Sequence, residues 1–565
     1  MAISDISSLV KTSRPALPQI YAYTTPEIAR HDGWTKIGYT EQNVEKRLAQ
    51  QTHTADVEYK LEWHGNATYE DTGETFRDTD FHGYLRKLDI KDKPGTEWFE
   101  IAPDPAHQRF YEFRENHGII EDVPATINYR LRAEQEMASE QTASYAHLHE
   151  RGEYLWNAKP RFGKTLTSYD LCRRLGARKV LIVTNRPAIA NSWYDDYVKF
   201  VGTESGLVFI SSVSALQGKP YCLTREEYLK SLHNGGPKGF IEFVSLQDLK
   251  GAIDFGGKYD KLKHVAKLEW DVLIIDEAHE GVDTLKTDVA FDHIKRKFTL
   301  HLSGTPFKAI ANEKFPEDAI FNWTYADEQK AKRDWDDPEL TNPYADLPRL
   351  NMFTYQMSDI VADEVRRGVN IDGGTVEYAF DLNEFFATNE NGYFLHNDDV
   401  DRFLNALTTQ KKFPFSTPEL RDELRHTFWM LNRVDSAKAL AKKLKQHPIF
   451  KEYEIVLAAG DGKLDDEDEG ARAFDKVRAA IANNDRTITL SVGQLTTGVT
   501  IPEWTAVLML SNMKSPALYM QAAFRAQNPC LFNRNGTFMR KENAYVFDFD
   551  PARTLTIFEE FAHDL

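Results

Sequence analysis

The stretch Trp156-Asn-Ala-Lys-Pro-Arg-Phe-Gly-Lys-Thr165 constrains the fold of this chain more than any other. Glu153-Tyr-Leu-Trp-Asn157 gathers bulky, β-prone side chains and predicts a short strand. Gly163-Lys164-Thr165 closes a tight loop, and a helical pattern begins at once with Leu166-Thr-Ser-Tyr-Asp-Leu-Cys. Strand, loop, Gly-Lys-Thr and helix together make the frame of a phosphate-binding loop. Backbone N–H groups and the helix N-terminus converge on phosphate oxygens, Lys164 adds a point charge, and Thr165 offers a hydroxyl to Mg²⁺. Ala158 stands where the first glycine of such a loop is usual. The competing reading is a lysine-bearing turn before an ordinary helix, and the rest of the chain decides between them.

With 565 residues, the chain has room for about three or four domains, each with its own core. The 41% apolar and 28% charged content is that of a soluble globular protein. No apolar run reaches the roughly 18–20 residues of a membrane span, so no membrane partner is expected. Met1-Ala-Ile-Ser-Asp-Ile-Ser-Ser8 lacks the basic start and apolar core of a signal peptide. Cys172, Cys222 and Cys530 are far apart, which fits a reducing, cytoplasmic setting and supports neither a zinc site nor a disulfide frame. A net charge of −18 excludes a generally basic nucleic-acid-coating surface, though not a groove that tracks a phosphate backbone through local contacts. Asp465-Asp-Glu-Asp-Glu469 reads as a solvated acidic loop.

Downstream of the loop, strands alternate with helices as in a parallel sheet. Lys179-Val-Leu-Ile-Val-Thr-Asn185 is a buried strand, residues 188–200 a helix, and Phe240–Leu249 a strand with a turn. Trp270-Asp-Val-Leu-Ile-Ile-Asp276-Glu277-Ala-His279 runs an apolar strand into paired acids. Asp276 can hold Mg²⁺ and Glu277 can orient or deprotonate an attacking water. Asp-Glu-Ala-His followed by Leu302-Ser303-Gly-Thr305-Pro306 resembles motifs II and III of superfamily-two helicases and translocases of the DEAH, restriction-enzyme-like kind. In that family the Ser-x-Thr element couples hydrolysis to movement, which points to Ser303 and Thr305. An initial alanine such as Ala158 is common there, whereas Arg161 replaces the family's middle glycine. Gln135, near the start of a helix opening at Leu131, can read adenine through its amide donor and acceptor.

A second alternating series begins at Thr427-Phe-Trp-Met-Leu-Asn432. Residues 436–446 form a helix with Ala437, Leu440, Ala441 and Leu444 at helical spacing, and Tyr453–Ala459 and Arg486–Val492 are strands. Gly493-Gln-Leu-Thr-Thr-Gly498-Val-Thr500 resembles motif V, and Gln521-Ala-Ala-Phe-Arg525-Ala-Gln-Asn528 resembles motif VI. The resemblance implies that Arg525 reaches a phosphate held by the other lobe. Family members carry a second arginine where Asn528 stands, so Arg525 or Arg534 must serve as the finger, unless turnover is weak.

The N-terminal part has a different character. Gln19-Ile-Tyr-Ala-Tyr-Thr-Thr25 and Trp34-Thr-Lys-Ile-Gly-Tyr-Thr40 are strands joined around His31-Asp-Gly33, and residues 42–51 form a helix carrying Arg47. Phe76-Arg-Asp-Thr-Asp-Phe-His82 opens a helix on which Asp78 and His82 share a face. With Glu97-Trp-Phe99, this order resembles the phage-associated branch of GIY-YIG nucleases. Tyr21 matches the first motif's tyrosine, Lys36-Ile37-Gly38 the second motif, and Arg47 the helix arginine. The resemblance implies that Tyr21 helps activate water, that Arg47 steadies the scissile phosphate, and that Asp78, one methylene shorter than the usual glutamate, holds a metal. Tyr21 as core, Arg47 as a surface charge and Asp78 as a helix-start acid are the plain alternatives.

The expected fold class is α/β: two RecA-like parallel-sheet lobes forming a helicase core, preceded by a small α/β GIY-YIG-like domain. The expected divisions are a tail (1–17), the nuclease-like domain (18–102), a connector (103–130), lobe 1 (131–318), an insertion with linker (319–420) and lobe 2 (421–565). The expected nucleotide contacts are Gln135, Ala158, Arg161, Gly163, Lys164, Thr165, Ser303, Thr305, Gly498 and Gln521, with ATP and Mg as cofactors. Glu277, Asp276, Arg525, Tyr21, Arg47 and Asp78 are the expected catalytic groups, and Thr165, Asp276 and Asp78 the metal ligands. The resemblances imply DNA, double- or single-stranded, as partner, with RNA also open, in restriction, anti-phage or phage DNA processing. A separate methyltransferase or specificity subunit fits the same reading, and any nuclease must be N-terminal or lie on another subunit. Two alternatives remain at this stage: a motor whose N-terminal part only binds DNA, and a nucleotide-gated binding protein with negligible turnover.

Overall fold

The structure is a computed structural model that describes residues 5–550 except 53–57, 120–128, 185–188, 203–204, 214–215, 233–235, 238, 277–290, 305–314, 338–339, 357–380, 460–465, 494, 496–499 and 514. Its first strand, β1 (Ser13–Ala16), leaves the N-terminal unit altogether and pairs antiparallel with a hairpin near the end of the chain. Ile6 and Val10, four apart, are buried in the core of the second lobe. The loose tail expected over residues 1–17 is therefore corrected to an anchored segment over its described part. Its apolar pair finds a partner surface hundreds of residues away, which local sequence cannot reveal.

The N-terminal sheet contains β2 (Gln19–Thr24), β3 (Thr35–Thr40), β4 (Lys60–Asn66) and β5 (Trp98–Phe99), antiparallel in the order β4-β2-β3-β5. Helices α1 (Val44–Thr52) and α2 (Asp78–Lys87) accompany it. A third helix, α3 (Pro103–Asn116), stands where a connector is expected from residue 103. Pro103 sits at the first helical turn, where its fixed φ and missing N–H cost nothing. Ala106, Phe110 and Phe113, at helical spacing, pack into the core formed by Ile20, Ile37, Phe81 and Phe99. Pro103 and Pro105, at the start of the expected connector, therefore begin a helix.

Lobe 1 begins with α4 (Ala133–Leu148) and β6 (Glu153–Ala158), followed by α5 (Lys164–Arg174), β7 (Lys179–Thr184) and α6 (Ala190–Asp196). The helix expected over 188–200 is thus shorter and passes into a wider π turn over Tyr197–Val201. Then come β8 (Leu207–Ser211), β9 (Cys222–Leu223), β10 (Gly239–Ser245), β11 (Glu269–Asp276), β12 (Lys295–Ser303) and β13 (Ile320–Trp323). These strands make a parallel eight-stranded sheet in the order β13-β6-β12-β11-β7-β10-β8-β9. Near-continuous apolar runs such as Val180–Val183 and Val272–Ile275 are buried, as strands covered on both faces require.

After α7 (Tyr325–Arg333), the chain crosses to β14 (Arg349–Thr354), an edge strand of the second lobe. Helix α8 (Asn397–Thr409), β15 (His426–Met430), α9 (Val434–Gln446), β16 (Glu454–Ala458), α10 (Asp466–Asn483), β17 (Thr487–Ser491), β18 (Ala506–Met509) and α11 (Pro516–Ala523) follow. The hairpin β19 (Leu531–Arg534) and β20 (Thr537–Lys541) receives β1, and β21 (Asn543–Asp548) enters the main sheet. That sheet is parallel, with order β14-β21-β18-β15-β17-β16. The expected insertion over 319–420 is corrected by three facts. β13 extends the first sheet, β14 extends the second, and Phe403, Leu404 and Leu407 of α8 lie in the second lobe's core. Both edge strands are short and moderately apolar, so their pairing is set by tertiary contacts rather than by local periodicity. The architecture is α/β, with two RecA-like parallel lobes and a small N-terminal unit. Among the described residues, no helix is long and apolar enough to cross a membrane.

Candidate nucleotide site and N-terminal polar cluster

Parallel sheets present their loops at the carboxyl ends of the strands, and three of the singled-out segments leave adjacent strands there. Ala158 ends β6, Ser303 ends β12 and Asp276 ends β11, with Ser303 opposite Asn157 and Leu302 opposite Asp276. Gly163, at φ +86°, turns the chain into α5, whose first residues are Lys164 and Thr165. A Cβ at Gly163 would sit 2.4 Å from Nε2 of Gln135, so space and backbone both demand glycine. Lys164 Nζ donates to the carbonyl of Ala158 at 2.9 Å, folding the lysine back across its own loop. Trp193 Nε1 donates to Asp276 Oδ2 at 2.9 Å and fixes that carboxylate.

Gln135 is buried, and both ends of its amide serve the backbone. Oε1 accepts from Arg132 N at 2.9 Å, and Nε2 donates to Phe162 O at 2.7 Å. In this conformation it buttresses the loop instead of presenting a base-reading edge. Arg132 adds a second donor to Phe162 O at 2.7 Å. Arg161 occupies the left-handed region at φ +75°, a conformation costly for a side chain with a Cβ. Burial presses its pKa down, and Glu328 acts in the opposite sense.

Lys159 lies inside the same loop, and no local pattern in the sequence marks it. It is 0% exposed, and its Nζ lies 2.7 Å from Oε2 of Glu328 on α7. The same ammonium lies 5.5 Å from the ring centroid of Phe524, the residue before Arg525. Lobe 2 therefore closes against the phosphate loop here. Gln521 is buried on α11, and Arg525 Nε donates to its carbonyl at 3.2 Å. Asn528 Nδ2 donates to Ile501 O and Arg525 O at 3.3 and 3.0 Å, so it braces backbone. Arg534 lies on β19 in a pocket of about 860 Å³ with Arg425, His426 and Arg486, at the ends where β15 and β17 begin. Glu277, Thr305 and Gly498 lie outside the described residues.

In the N-terminal unit, Tyr21 faces Gly38 across β2 and β3. A Cβ at Gly38 would meet the Tyr21 hydroxyl at 2.6 Å, which explains the glycine of Lys36-Ile37-Gly38. Tyr21 is fully buried and hydrogen-bonds with Arg47, and burial together with the Glu97 charge holds its pKa well above the usual phenol range. Asp78 is buried at the first turn of α2, its Oδ1 accepting Thr79 N at 2.9 Å. Asp80 is spent on the helix start, its Oδ2 accepting Arg77 N at 2.9 Å. His82 shares the helix with Asp78, but its Nε2 is committed to Ile37 O at 2.8 Å.

Glu97 completes the cluster; along the chain it stands out only as part of the ending Glu97-Trp-Phe99. It is 4% exposed; burial first and the Asp78 carboxylate second raise its pKa to about 7. Lys36, 1% exposed, opposes that rise. Oε1 accepts the backbone N–H of Thr341 at 2.6 Å, a residue from the segment between the lobes. The same segment bonds all three units. Tyr344 OH donates to Glu134 at 2.5 Å, Asp346 pairs with Arg77, and Gln527 Nε2 donates to Pro348 O at 3.0 Å. The signal available in advance was the acid beside an aromatic pair, Glu97-Trp-Phe99, whose partners are distant in sequence.

Residues 128–308 match the family described as Type III restriction enzyme, res subunit, and residues 19–114 match the T5orf172 domain. The second match runs into α3, as the packing does. A Mycoplasma pneumoniae protein, named as the C-terminal part of a type II restriction enzyme and methyltransferase, is 25% identical over 492 residues, covering 77% of this chain and 66% of that protein. Helicase 055L of frog virus 3 is 28% identical over 166 residues, 29% of this chain and 31% of its own. A solved ATP-dependent Type ISP restriction-modification enzyme bound to DNA, LlaBIII, aligns over 77% of this chain and 29% of its own, at 18% identity and a TM-score of 0.47. The chain thus spans less than two thirds of each of these relatives. Residues 128–308 are thus similar to a restriction-type helicase domain, and residues 19–114 to a T5orf172 domain.

Proposed function

We propose that the chain is a nucleic-acid-dependent ATPase that translocates on or unwinds DNA, coupled to a Mg-dependent endonuclease of GIY-YIG type in its N-terminal unit. The observation that carries the motor half is the convergence of Gly163-Lys164-Thr165, Asp276 and Ser303 at the carboxyl ends of three adjacent parallel strands. The donor set suits Mg²⁺ with ATP: a helix N-terminus for phosphates, and hard oxygens on Thr165 and Asp276. Lys164 neutralises phosphate charge, Trp193 holds the Asp276 carboxylate in place, and Glu277 orients the attacking water. Arg525, carried next to Phe524 against Lys159, supplies positive charge from the second lobe. Ser303, Thr305, Gly498 and Gln521 link that chemistry to lobe movement, while Gln135, Ala158 and Arg161 shape the phosphate cradle.

In the N-terminal unit, Asp78 with a buried neighbouring carboxylate fits a divalent cation. When bound, such an ion would supply positive charge beside the scissile phosphate and make hydroxide available near neutral pH. Arg47 positions the phosphate and holds the Tyr21 hydroxyl. The names of the relatives support a place in restriction or anti-phage DNA processing, with a methyltransferase or specificity function on another subunit. A second reading, an N-terminal unit that binds DNA without cutting it, is favoured by Thr341, whose N–H already occupies one oxygen of Glu97.

Phosphate release and plasmid nicking, measured with and without DNA, ATP and magnesium, test these readings. Lys164→Ala is expected to abolish DNA-stimulated hydrolysis; unchanged hydrolysis refutes the motor. Asp78→Ala and Tyr21→Phe are expected to abolish nicking and spare hydrolysis, and a wild type that never nicks leaves the binding-only reading.

A further inference from the structure

Asp78 alone is a poor anchor for a cation, because it reaches one methylene less far than glutamate and Thr79 N already occupies its Oδ1. Glu97 stands close enough for the two carboxylates to repel one another. It precedes β5, so its backbone is fixed by pairing with β3, and Ile37 N donates to its carbonyl at 3.0 Å. Its two side-chain oxygens are in different situations. Oε1 takes the Thr341 N–H, whereas Oε2 is buried with no hydrogen-bond partner among the described residues. A buried carboxylate oxygen left without a partner is expensive, and such groups in native folds are explained by an ion, a water or a function. The cations facing the cluster are Lys36, Arg47 and Arg77; Arg47 is engaged with Tyr21, and Arg77 Nε lies 4.0 Å from Asp78 Oδ1.

We propose that Glu97 is a second carboxylate ligand of the divalent cation at this site, binding through Oε2 opposite Asp78. The proposal rests on the reading of Asp78 as a metal ligand. Two carboxylates and solvent form the all-oxygen set that Mg²⁺ and Mn²⁺ take, and the second carboxylate compensates for the short reach of the first. His82 is not needed, since its Nε2 holds Ile37 O.

The test is Mn²⁺ binding to the full chain without nucleotide, followed by calorimetry and by the loss of free Mn²⁺ resonance. Wild type is expected to bind one ion at this site. Glu97→Gln and Asp78→Asn each weaken it at least tenfold. Glu97→Asp, which keeps the charge but retracts it, weakens binding less than Glu97→Gln, so an effect of altered folding is separated from loss of a ligand; thermal melting of each variant checks the fold. Wild-type affinity in Glu97→Gln beside lost binding in Asp78→Asn overturns the role of Glu97 and leaves that of Asp78. Binding unaffected by Asp78→Asn overturns the metal reading itself.

Discussion

Nζ of Lys159 and Oε2 of Glu328 lie 2.7 Å apart, and both side chains are buried. The pair joins the phosphate loop to α7, the helix by which the chain leaves lobe 1 for lobe 2. Removing one partner strands the other charge away from water. Glu328→Ala is therefore expected to cost about 3–5 kcal/mol, measured by urea denaturation. The double variant Lys159→Met, Glu328→Leu recovers most of that loss, because an apolar pair of similar volume needs no compensation.

Gly163 combines a left-handed φ with contact against Gln135. Gly163→Ala is expected to cost about 1–2 kcal/mol for the backbone alone, and the added methyl also displaces the Gln135 amide from Phe162 O. Titration with a fluorescent nucleotide is expected to show at least tenfold weaker binding. Unchanged affinity separates Gln135 from the cradle.

Arg540 is the centre of an ion cluster that ties the N-terminal unit to the lobes. It pairs with Glu41, and its Nη2 lies 3.9 Å from Asp346, which in turn pairs with Arg77. The side chains of Arg540 and Glu41 are only 8% and 7% exposed, so salt screens them weakly. Arg540→Met is expected to cost about 3 kcal/mol and to speed proteolytic cleavage between the N-terminal unit and the lobes. Cleavage at the wild-type rate, with an unchanged melting curve, contradicts this.

His426 gives the second lobe a defined acid sensitivity. Burial, then the Arg425 and Arg534 charges, lowers its pKa to about 4. An unfolded histidine takes its proton near pH 6.5 (about its ordinary value). Between those two points the unfolded chain binds more protons, so stability falls as pH drops from about 6.5 to about 4, by up to roughly 3 kcal/mol. His426→Gln is expected to flatten the slope of the denaturation midpoint across that window. An equally steep slope in the variant assigns the acid sensitivity elsewhere.

The sequence by itself determined the parts written in local pattern. Val180–Val183 and Val272–Ile275 announce buried parallel strands because each is a short apolar run covered on both faces. Gly163-Lys164-Thr165 announces its loop because the turn, the charge and the helix start are contiguous. Asp276 and Ser303 are legible for the same reason, as each closes its own strand. Tertiary structure alone decided what depends on contacts between distant segments. Ile6 and Val10 look like a tail until the second lobe covers them, and Pro103 looks like a linker until Phe110 and Phe113 find the N-terminal sheet. β13 and β14 are too short and mixed to declare which sheet they extend. Glu97 and Thr341 are 244 residues apart in the sequence. Periodicity reports which face of an element is apolar; it carries no information about which remote group will meet a buried charge.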